Sequence, residues 1–387
     1  MTQLLRIFAN KCLHRNIPVF VIDPTVLRHL VSDVESDRRC PLCSVGDVIS
    51  LGVFGPDWEK RGSLLRDLSD DEDVVIHKVT SPDPRSLSLE RLNVPSIPTH
   101  YFIRQSGNIP LHLVVFYDRG NEYWWHSSIG KQTATTSQGL QGLNIVFGNS
   151  AGAYGRFEVR PTMVEGVFIH LPHPVEEFLV QMRKAVFIEC DYHRAQQFLR
   201  ANPPTSSHIT RNGAKVLLLA KSLLDHLGVR FRIGAGTILG WYRQCGIIPY
   251  TNDIDIEIPI QDYSPSILPA FFKAGFKLSR AEGKLSDGYH VLFHIHAVLL
   301  DMLFIYEEKT HVWVGSIDQQ TGDKFRFVLP KSDTCWTEFM GFRVRIPCPT
   351  LPYITTSYGD NWNTPVQEWN WTLSGSNIYK NGMWPKQ

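Results

Sequence analysis

The stretch Gly236-Thr237-Ile238-Leu239-Gly240-Trp241-Tyr242-Arg243 precedes a second one, Ile248-Pro249-Tyr250-Thr251-Asn252-Asp253-Ile254-Asp255-Ile256-Glu257-Ile258. The first is typical of a small-residue turn that opens a short helix, and the second of a strand in which acidic and apolar residues alternate. Because strand side chains alternate between two faces, Asp253 and Asp255 share one face. Mg²⁺ is commonly held by one or two carboxylates together with substrate phosphates. The pair therefore predicts a Mg²⁺ or Mn²⁺ site for a phosphate-bearing substrate.

The residues around the turn are candidates for binding that phosphate. Gly236 lets the backbone approach closely, and the N-terminus of the following helix offers free N–H groups, so Gly236 and Thr237 are predicted to cradle the phosphate. Arg243 carries a planar guanidinium suited to phosphate, and it is predicted to stabilise the leaving charge; a structural ion pair is the alternative. Lys284, after Gly283, is a further phosphate-binding candidate.

Asp301 interrupts the apolar run Val298-Leu299-Leu300-Asp301-Met302-Leu303-Phe304, which has the length of a buried strand. An unpaired carboxylate is costly to bury, so Asp301 needs a partner. We predict that it completes the metal shell with Asp253 and Asp255, or that it acts as general base on an acceptor hydroxyl. A purely structural buried aspartate is the alternative.

A dinucleotide-binding site is a rival interpretation of the same turn. Gly234-Ala235-Gly236-Thr237-Ile238-Leu239-Gly240 follows the apolar strand candidate Val229 to Ile233 and precedes an acidic residue by about twenty positions. However, the third glycine comes one place late. One acid would serve a ribose, but such a site explains neither the Asp-x-Asp pair nor Asp301, so the metal site is favoured.

Other polar and aromatic clusters give weaker signals. His290, His294 and His296 resemble a metal cluster, although neutral histidines packed in strands are commoner. Cys40 and Cys43 form an isolated Cys-x-x-Cys, which is weak evidence for zinc and favours a local disulfide or free thiols. The remaining cysteines are scattered and predict no disulfide scaffold. Four tryptophans near the end are expected mainly to close a core, with stacking on a sugar or cytosine as the alternative: Trp362, Trp369, Trp371 and Trp384.

Composition excludes some classes of function. The chain has 387 residues with 39 Lys and Arg against 38 Asp and Glu, which gives a net charge of +1. Such a balance does not suggest a nucleic-acid-binding surface, so any phosphate affinity must be local. No stretch approaches the ~20 apolar residues of a spanning helix, and there is no signal-peptide pattern at the start.

The sequence predicts two domains. Residues 1–200 alternate strand-like runs (Val19 to Ile22, Val74 to His77, Leu111 to Tyr117, Val164 to Leu171) with helical stretches, which indicates a mixed α/β domain without a catalytic constellation. The segment Ala201 to Ser207 contains two prolines and marks a boundary. Residues 206–387 open with a helix whose apolar stripe ends near Gly228, and then alternate strands and helices. This order favours a nucleotidyltransferase-like α/β or α+β fold.

Beyond these patterns, the chain resembles the LicD-like phosphotransferase family. The run from Gly236 through Tyr250 and the Asp-x-Asp carry the resemblance, although Asn252 departs from the charged residue of relatives at that place. Six further segments are similar in the same order: Ile17 to Pro24, Leu111 to Phe116, Phe187 to Cys190, Cys335 to Phe339, Tyr358 to Trp362 with Pro365, and Asn381 to Pro385. The resemblance therefore covers nearly the whole chain.

The resemblance implies a specific activity. It implies transfer of ribitol 5-phosphate from CDP-ribitol to the O-mannosyl glycan of α-dystroglycan, with Asp253, Asp255 and Asp301 as catalytic and metal-binding residues. It also implies a type II membrane protein of the Golgi lumen whose anchor helix is absent from this sequence, with other O-mannosyl glycan enzymes as partners and a homo-oligomer as an expected assembly. Two alternatives stay open: an inactive glycan-binding scaffold, and a phosphotransferase that uses CDP-glycerol or a phosphocholine donor.

Overall fold

A computed structural model describes residues 3–31, 42, 46–70, 73–130, 145, 147–204 and 207–384. The chain divides into two compact units, Met1–Ile188 and Glu189–Gln387. Both units are mixed α/β, which confirms the predicted fold class. This division lies ahead of the predicted boundary at Ala201 to Ser207. The difference arises because the helix Tyr192–Ala201 packs on the helix Ala235–Gln244 and so belongs to the second unit.

The first unit is built on a mixed sheet. Its helices are α1 (Gln3–Leu13), α2 (Pro24–Val31), α3 (Gly55–Trp58), α4 (Leu64–Ser69) and α5 (Val175–Met182). Its strands are β1 (Phe20–Val21), β2 (Ile49–Phe54), β3 (Val75–Pro82), β4 (Ser96–Arg104), β5 (Leu111–Arg119), β6 (Tyr123–His126), β7 (Ala151–Gly155), β8 (Glu158–Val164), β9 (Val167–His173) and β10 (Val186–Phe187). Their order is β10-β7-β6-β5-β2-β1-β9-β8, and β4 joins β3 to β5. The central β2 and β5 are parallel and almost wholly buried, as expected for covered strands.

The predicted strand Val164 to Leu171 is wrong in one respect, because the chain reverses within it. Strand β8 ends at Val164, and β9 begins at Val167 and pairs back onto it. Glu165 and Gly166 form the two-residue turn, with φ values of 50° and 72°. Positive φ at both central positions is what a tight hairpin requires, and glycine at the second position tolerates it.

A chain of buried histidines crosses the first unit. His100 Nδ1 lies 3.0 Å from His112 Nε2, and His112 Nδ1 lies 3.3 Å from Ser50 Oγ. His100 Nε2 and His126 Nδ1 both bond the carbonyl oxygen of Ser127. Burial lowers the pKa of His100 to about 3 and that of His126 to about 4, and it lowers the pKa of His112 well below the ordinary value. The three rings are therefore neutral and structural.

We expect acidification to destabilise the protein through these histidines. In the unfolded chain a histidine has a pKa of about 6.5. Between pH 6.5 and the folded-state pKa values, the unfolded state therefore binds protons that the folded state does not bind. Their contribution is complete above about pH 6.5 and is lost as the pH falls towards the folded-state pKa values. At pH 5 the loss is about 2 kcal/mol of unfolding free energy per histidine. Thermal unfolding midpoints at pH 7, 6 and 5 measure it.

The control for that prediction is His112→Gln. This variant should unfold at a lower temperature at pH 7, because Ser50 and His100 lose a partner. It should then lose less than the native chain between pH 7 and pH 5, since one titrating group is gone. Comparison of the two chains cancels the titration of all other groups. Equal acid losses in both would contradict the assignment of the effect to this network.

The second unit carries a sheet with helices on both of its faces. Its helices are α6 (Tyr192–Ala201), α7 (His208–His226), α8 (Ala235–Gln244), α9 (Ile267–Lys273) and α10 (Thr350–Tyr358). Its strands are β11 (Arg232–Ile233), β12 (Asp253–Pro259), β13 (Lys277–Lys284), β14 (Asp287–Ile295), β15 (Val298–Glu307), β16 (His311–Ile317), β17 (Asp323–Pro330), β18 (Asp333–Phe339), β19 (Phe342–Cys348) and β20 (Ile378–Met383). The order is β11-β12-β15-β16-β17-β20, with β14 on β15, β13 on β14, and β18 paired to β19. None of the described helices in either unit is long and apolar enough to cross a membrane.

One face of this sheet forms the core beneath α7. The predicted apolar stripe is present on α7, and Gly228 takes a φ of 68° just beyond its end, as a C-terminal cap requires. Helix α7 packs on β12 and β15. A Cβ at Gly213 of α7 would meet Ile254 Cδ1 at 3.2 Å, so this glycine allows the close approach. The opposite face of the sheet is left for the site.

Four of the scattered cysteines pair, contrary to the expectation from their spacing. Cys190 bonds Cys245, and Cys335 bonds Cys348. Their separations of 55 and 13 residues follow no local motif, so only the fold brings the partners together. Cys12 is a buried free thiol. Cys40 and Cys43 lie outside the described residues.

Candidate active site

Strand β12 has apolar side chains on one face and acidic side chains on the other. Ile254, Ile256 and Ile258 are completely buried on the α7 side. Asp253, Asp255 and Glu257 line a cavity of 630 Å³ on the other side. The period-two alternation read from the sequence is therefore the actual geometry of the strand.

Strand β15 brings the third predicted carboxylate beside the first two. It runs parallel to β12, and Asp301 stands directly opposite Asp255 in the register. Side chains of paired residues point to the same face of a sheet, and Asp301 also lines the cavity. The structure thus brings together Asp253, Asp255 and Asp301, as the sequence predicts.

The acidic residues of β12 differ in how they are neutralised. Glu257 is fully buried, lies 2.7 Å from the Arg232 Nε and accepts a hydrogen bond of 2.5 Å from the Tyr353 hydroxyl. Among the described residues, neither Asp253 nor Asp255 has a lysine or arginine partner. Burial raises the pKa of Asp255 well above its ordinary value, and the charges of Asp253 and Asp301 raise it further. Burial and the Asp301 charge likewise raise the pKa of Asp253, against the hydrogen bond from Thr251. The site therefore has an excess of negative charge that a cation would relieve.

Gly236 and Thr237 support Asp255. They lie in the first turn of α8, and Asp255 Oδ2 accepts hydrogen bonds from the Thr237 N–H at 3.0 Å and from the Thr237 hydroxyl at 3.1 Å. The N–H of Asp255 in turn donates to Thr237 Oγ1 at 2.7 Å. A Cβ at Gly236 would stand 3.3 Å from Asp255 Oδ2, so glycine leaves room for the carboxylate.

This arrangement corrects one expectation about the helix N-terminus. The Ala235 N–H already donates to the Tyr353 hydroxyl at 2.9 Å, and the Thr237 N–H to Asp255. These two groups are not free to bind a phosphate. Gly236 still lines the cavity, so the start of α8 can contact a ligand there, while Thr237 positions a carboxylate.

Asp301 is held by a network that the sequence did not reveal. Its Oδ1 bonds His290 Nε2 on the neighbouring strand β14, and His290 Nδ1 lies 3.5 Å from Glu282 Oε2 on β13. Burial alone would lower the pKa of His290, but the carboxylates of Asp301 and Glu282 outweigh it and raise that pKa to about 10. His290 is therefore an imidazolium, which corrects the expectation of a neutral packed ring. His294 and His296 are exposed and do not line the cavity.

The predicted metal ligands do not form a closed shell. Among the described residues, no three His, Cys, Asp or Glu side chains converge as they would around one ion. Asp301 turns towards His290, and Asp255 towards Thr237. Asp253 and Asp255 remain as a pair of carboxylates facing the cavity, which is enough for a cation that takes its other ligands from phosphate and water.

Of the two cations predicted to bind phosphate, Arg243 lines the cavity and Lys284 does not. Arg243 of α8 is buried and lines the cavity, where its Nη2 lies 3.1 Å from the Tyr250 hydroxyl and its guanidinium lies over the Phe198 ring. Within the described residues it has no carboxylate partner, and its buried Nε has no hydrogen bond. Lys284 is not brought to this group. It is exposed at the end of β13, and its ammonium lies 5.0 Å from the Trp384 ring.

The end of α8 that carries Arg243 is anchored. Cys245, with a φ of 51°, ends the helix and bonds Cys190, which precedes α6. Arg194 of α6 places its guanidinium 4.2 Å from the Tyr242 ring and donates to the Tyr242 carbonyl oxygen at 2.7 Å. These contacts fix the helix in place before any ligand binds.

Aromatic side chains line the cavity together with the carboxylates. Trp362, Trp369 and Trp371 all line it, whereas Trp384 does not, so these three can contact a ligand in addition to the rings they pack against. Tyr358 also lines it; burial raises the pKa of its hydroxyl well above the ordinary value, and the charges of Asp255 and Asp253 raise it further. The segment from Tyr358 to Trp362 was recognised in the sequence by resemblance, but its pattern gave no chemical signal.

Comparisons with known proteins find two family models that match successive parts of the chain. A family model described as Fukutin N-terminal matches residues 2–211. A second, described as LicD/FKTN/FKRP, nucleotidyltransferase domain, matches residues 228–349 and so includes all three aspartates.

Curated relatives match over most of their length. A mouse (Mus musculus) protein named "Ribitol-5-phosphate transferase FKTN" is 35% identical over 385 residues, which is 96% of this chain and 83% of the relative. Proteins of the same name from Macaca fascicularis and Homo sapiens are each 34% identical over 386 residues, with the same coverage.

Proposed function

Because the chain belongs to the fukutin family, we propose that it transfers ribitol 5-phosphate from CDP-ribitol to the O-mannosyl glycan of α-dystroglycan and releases CMP. One observation carries the proposal: Asp253, Asp255 and the buried Arg243 line the same cavity, and among the described residues the two aspartates have no lysine or arginine partner and the arginine has no acidic partner. That is the charge pattern needed to bind a cation together with a pyrophosphate. The name of the relatives, ribitol-5-phosphate transferase, supplies the identity of the group transferred.

The carboxylates suit Mg²⁺ or Mn²⁺ as cofactor. Asp253 and Asp255 would hold the ion: burial and the charge of the neighbouring carboxylates raise their pKa values, and a cation would offset both effects. When bound, the ion neutralises charge on the pyrophosphate. Thr237 keeps Asp255 aimed into the cavity.

Asp301 and Arg243 have different roles in the reaction: Asp301 accepts a proton, and Arg243 stabilises the leaving group. Asp301, oriented through Oδ1 by His290, takes the proton of the acceptor hydroxyl as general base. The hydroxyl oxygen forms a bond to the ribitol-bearing phosphorus, and the bond from that phosphorus to the CMP oxygen breaks. Arg243 balances the charge that develops on CMP. No covalent enzyme intermediate is required.

The proposed setting is the Golgi lumen, with the chain anchored as a type II membrane protein. The Cys190–Cys245 and Cys335–Cys348 disulfides support a secretory compartment, because disulfides persist in oxidising environments. Partners there would be fukutin-related protein and other enzymes of O-mannosyl glycan synthesis, and a second copy of the chain. The near-zero net charge gives no reason to add a nucleic acid.

The test is CMP release from CDP-ribitol by the native chain, with a phosphorylated O-mannosyl trisaccharide peptide as acceptor. We expect release to require the acceptor, to stop in EDTA, and to return with Mn²⁺ or Mg²⁺. The unglycosylated peptide is the matched control, and CDP-glycerol in place of CDP-ribitol separates this donor from its relatives.

Three outcomes separate the readings. Acceptor-dependent release from CDP-ribitol supports the transferase. Preference for CDP-glycerol would show a phosphotransferase of the same chemistry that uses a different donor. Binding of CDP-ribitol by a folded chain without CMP release, under every metal condition, would leave a scaffold and overturn the proposal.

A further inference from the structure

We propose that a second cleft, beside the cavity, binds the sugar chain of the acceptor, and that Trp369 and Trp371 form its stacking platform. This inference rests on the proposed function and names where the acceptor binds. The cleft has a volume of 670 Å³ and is more open than the cavity. Its lining includes Arg280, Gln319, Gln320 and Asn370.

The two spaces meet along a shared wall. Arg280, Trp369 and Trp371 line both of them. A ligand in the cleft can therefore reach the cavity past these side chains. Because the carboxylates lie in the cavity, a sugar held in the cleft can place one hydroxyl beside them while the rest of the chain stays outside.

The two tryptophans are supported and yet available. Trp371 packs against Phe325 and Phe327, with ring centroids 5.7 and 5.9 Å away, and Trp369 packs against Tyr358 at 5.1 Å. They nevertheless remain 37% and 38% exposed. Rigid half-exposed indoles offer flat apolar faces at low entropic cost. The C–H faces of sugar rings match such surfaces, while their hydroxyls need polar neighbours.

The polar neighbours are fixed by one buried residue. Glu282 accepts a hydrogen bond of 2.7 Å from Gln319 Nε2 and one of 3.0 Å from the Ile317 N–H, and it lies 2.6 Å from Arg280 Nε. Gln319 therefore presents its amide oxygen in a set orientation, and Arg280 keeps its remaining N–H groups for a ligand. Fixed donors and acceptors beside an apolar wall are the usual composition of a specific small-ligand site.

The same glutamate connects the cleft with the proposed base. Glu282 lies 3.5 Å from His290 Nδ1, and His290 bonds Asp301. Asp301 and Arg243 both line the cavity and not the cleft, but Asp301 is joined through His290 and Glu282 to side chains that line the cleft. In an in-line displacement the attacking and leaving oxygens lie on opposite sides of phosphorus. The acceptor thus belongs on the Asp301 side, at the cleft, and CMP on the Arg243 side.

Charge in the cleft also favours a sugar over the nucleotide donor. Among the described residues that line it are two acids, Asp318 and Glu368, and one cation, Arg280. This balance repels a pyrophosphate but accommodates the neutral sugar residues of a glycan. The cleft therefore complements the acceptor and leaves the donor to the cavity.

The test compares Trp371→Ala with Trp384→Ala. Trp384 is a partly exposed tryptophan of the same region that lines neither space, so it is a matched control. We expect Trp371→Ala to raise the KM for the glycopeptide acceptor about tenfold, with less than a twofold change in the KM for CDP-ribitol. Gln319→Ala should act in the same direction with a smaller change, and it serves if Trp371→Ala does not fold. Protein is treated with peptide N-glycosidase first, because Asn370 begins an Asn-Trp-Thr sequon within the cleft.

Several outcomes would overturn the inference. An equal rise in the KM for CDP-ribitol would show that the cleft binds the nucleotide donor. Unchanged KM values in both Trp371→Ala and Gln319→Ala would show that the cleft does not bind substrate. If the native chain releases no CMP, the proposed function fails on its own. Saturation-transfer NMR of the glycopeptide then decides the cleft separately, since its signal must weaken in Trp371→Ala and persist in Trp384→Ala.

Discussion

Replacement of Asp253 by Asn is expected to reduce CMP release from CDP-ribitol by about 10²–10³-fold or more, without unfolding the protein. Asp253 opens strand β12, faces the cavity and has no lysine or arginine partner in the part of the chain that the structure describes. Asparagine keeps the shape and an oxygen acceptor for the Thr251 hydroxyl, so the substitution removes mainly a negative charge. Under the proposed function, we therefore expect the loss to come from weaker cation binding at the pyrophosphate.

A stability measurement separates this cause from misfolding. Asp253 and Asp301 repel each other across a buried site, and Asp255 adds to that repulsion. With EDTA present, Asp253→Asn should therefore keep or raise the thermal midpoint, as expected where a protein gives up stability for function. The control is Asp262→Asn, which breaks a surface pair with Arg230 and should leave CMP release intact. Full activity of Asp253→Asn, or a loss equal to that in Asp262→Asn, would remove Asp253 from the site.

The part of this site that local pattern determines was predictable. The alternation in Asp253 to Ile258 places its carboxylates on one face whatever the fold, because it depends only on the strand period. Asp301 was recognisable as a lone charge in an apolar run, whose burial requires a partner. Both signals lie within seven-residue segments.

The support of Asp301 depends on register, which the sequence does not encode locally. His290 reaches Asp301 only because β14 pairs antiparallel to β15 with Leu292 opposite Asp301. Glu282 reaches His290 only because those two residues are opposite each other in β13 and β14. A shift of one residue in either pairing would send these side chains to the other face. The disulfide partner of Cys245 was hidden for the same reason, since its distance along the chain carries no information about its distance in space.

The second unit also shows why a turn motif can mislead. Gly236 and Thr237 were expected to bind phosphate through a free helix N-terminus, but Asp255 and Tyr353 already occupy the N–H groups of Thr237 and Ala235. The motif therefore marks the helix that positions the carboxylate. The cation that lines the cavity, Arg243, lies about two turns further along the same helix.

Arg243→Met is expected to lower kcat by about 10²–10³-fold, while Arg243→Lys recovers only part of that loss. Arg243 is buried at the cavity wall with an unbonded Nε and no acidic partner among the described residues, so its charge is available to an anion. Lysine keeps the charge but not the planar pair of donors that fits a phosphate.

Added guanidinium should restore activity to Arg243→Ala and not to Asp253→Asn, because only Arg243→Ala leaves a space that a guanidinium ion can fill. The control Arg326→Met removes a partly buried guanidinium that lies over the Trp313 ring and does not line the cavity, and it should retain activity. Because the proposed role is on the leaving group, the affinity for CMP should fall in Arg243→Met; unchanged CMP affinity together with unchanged kcat would show that Arg243 only fills space between Phe198 and Tyr250.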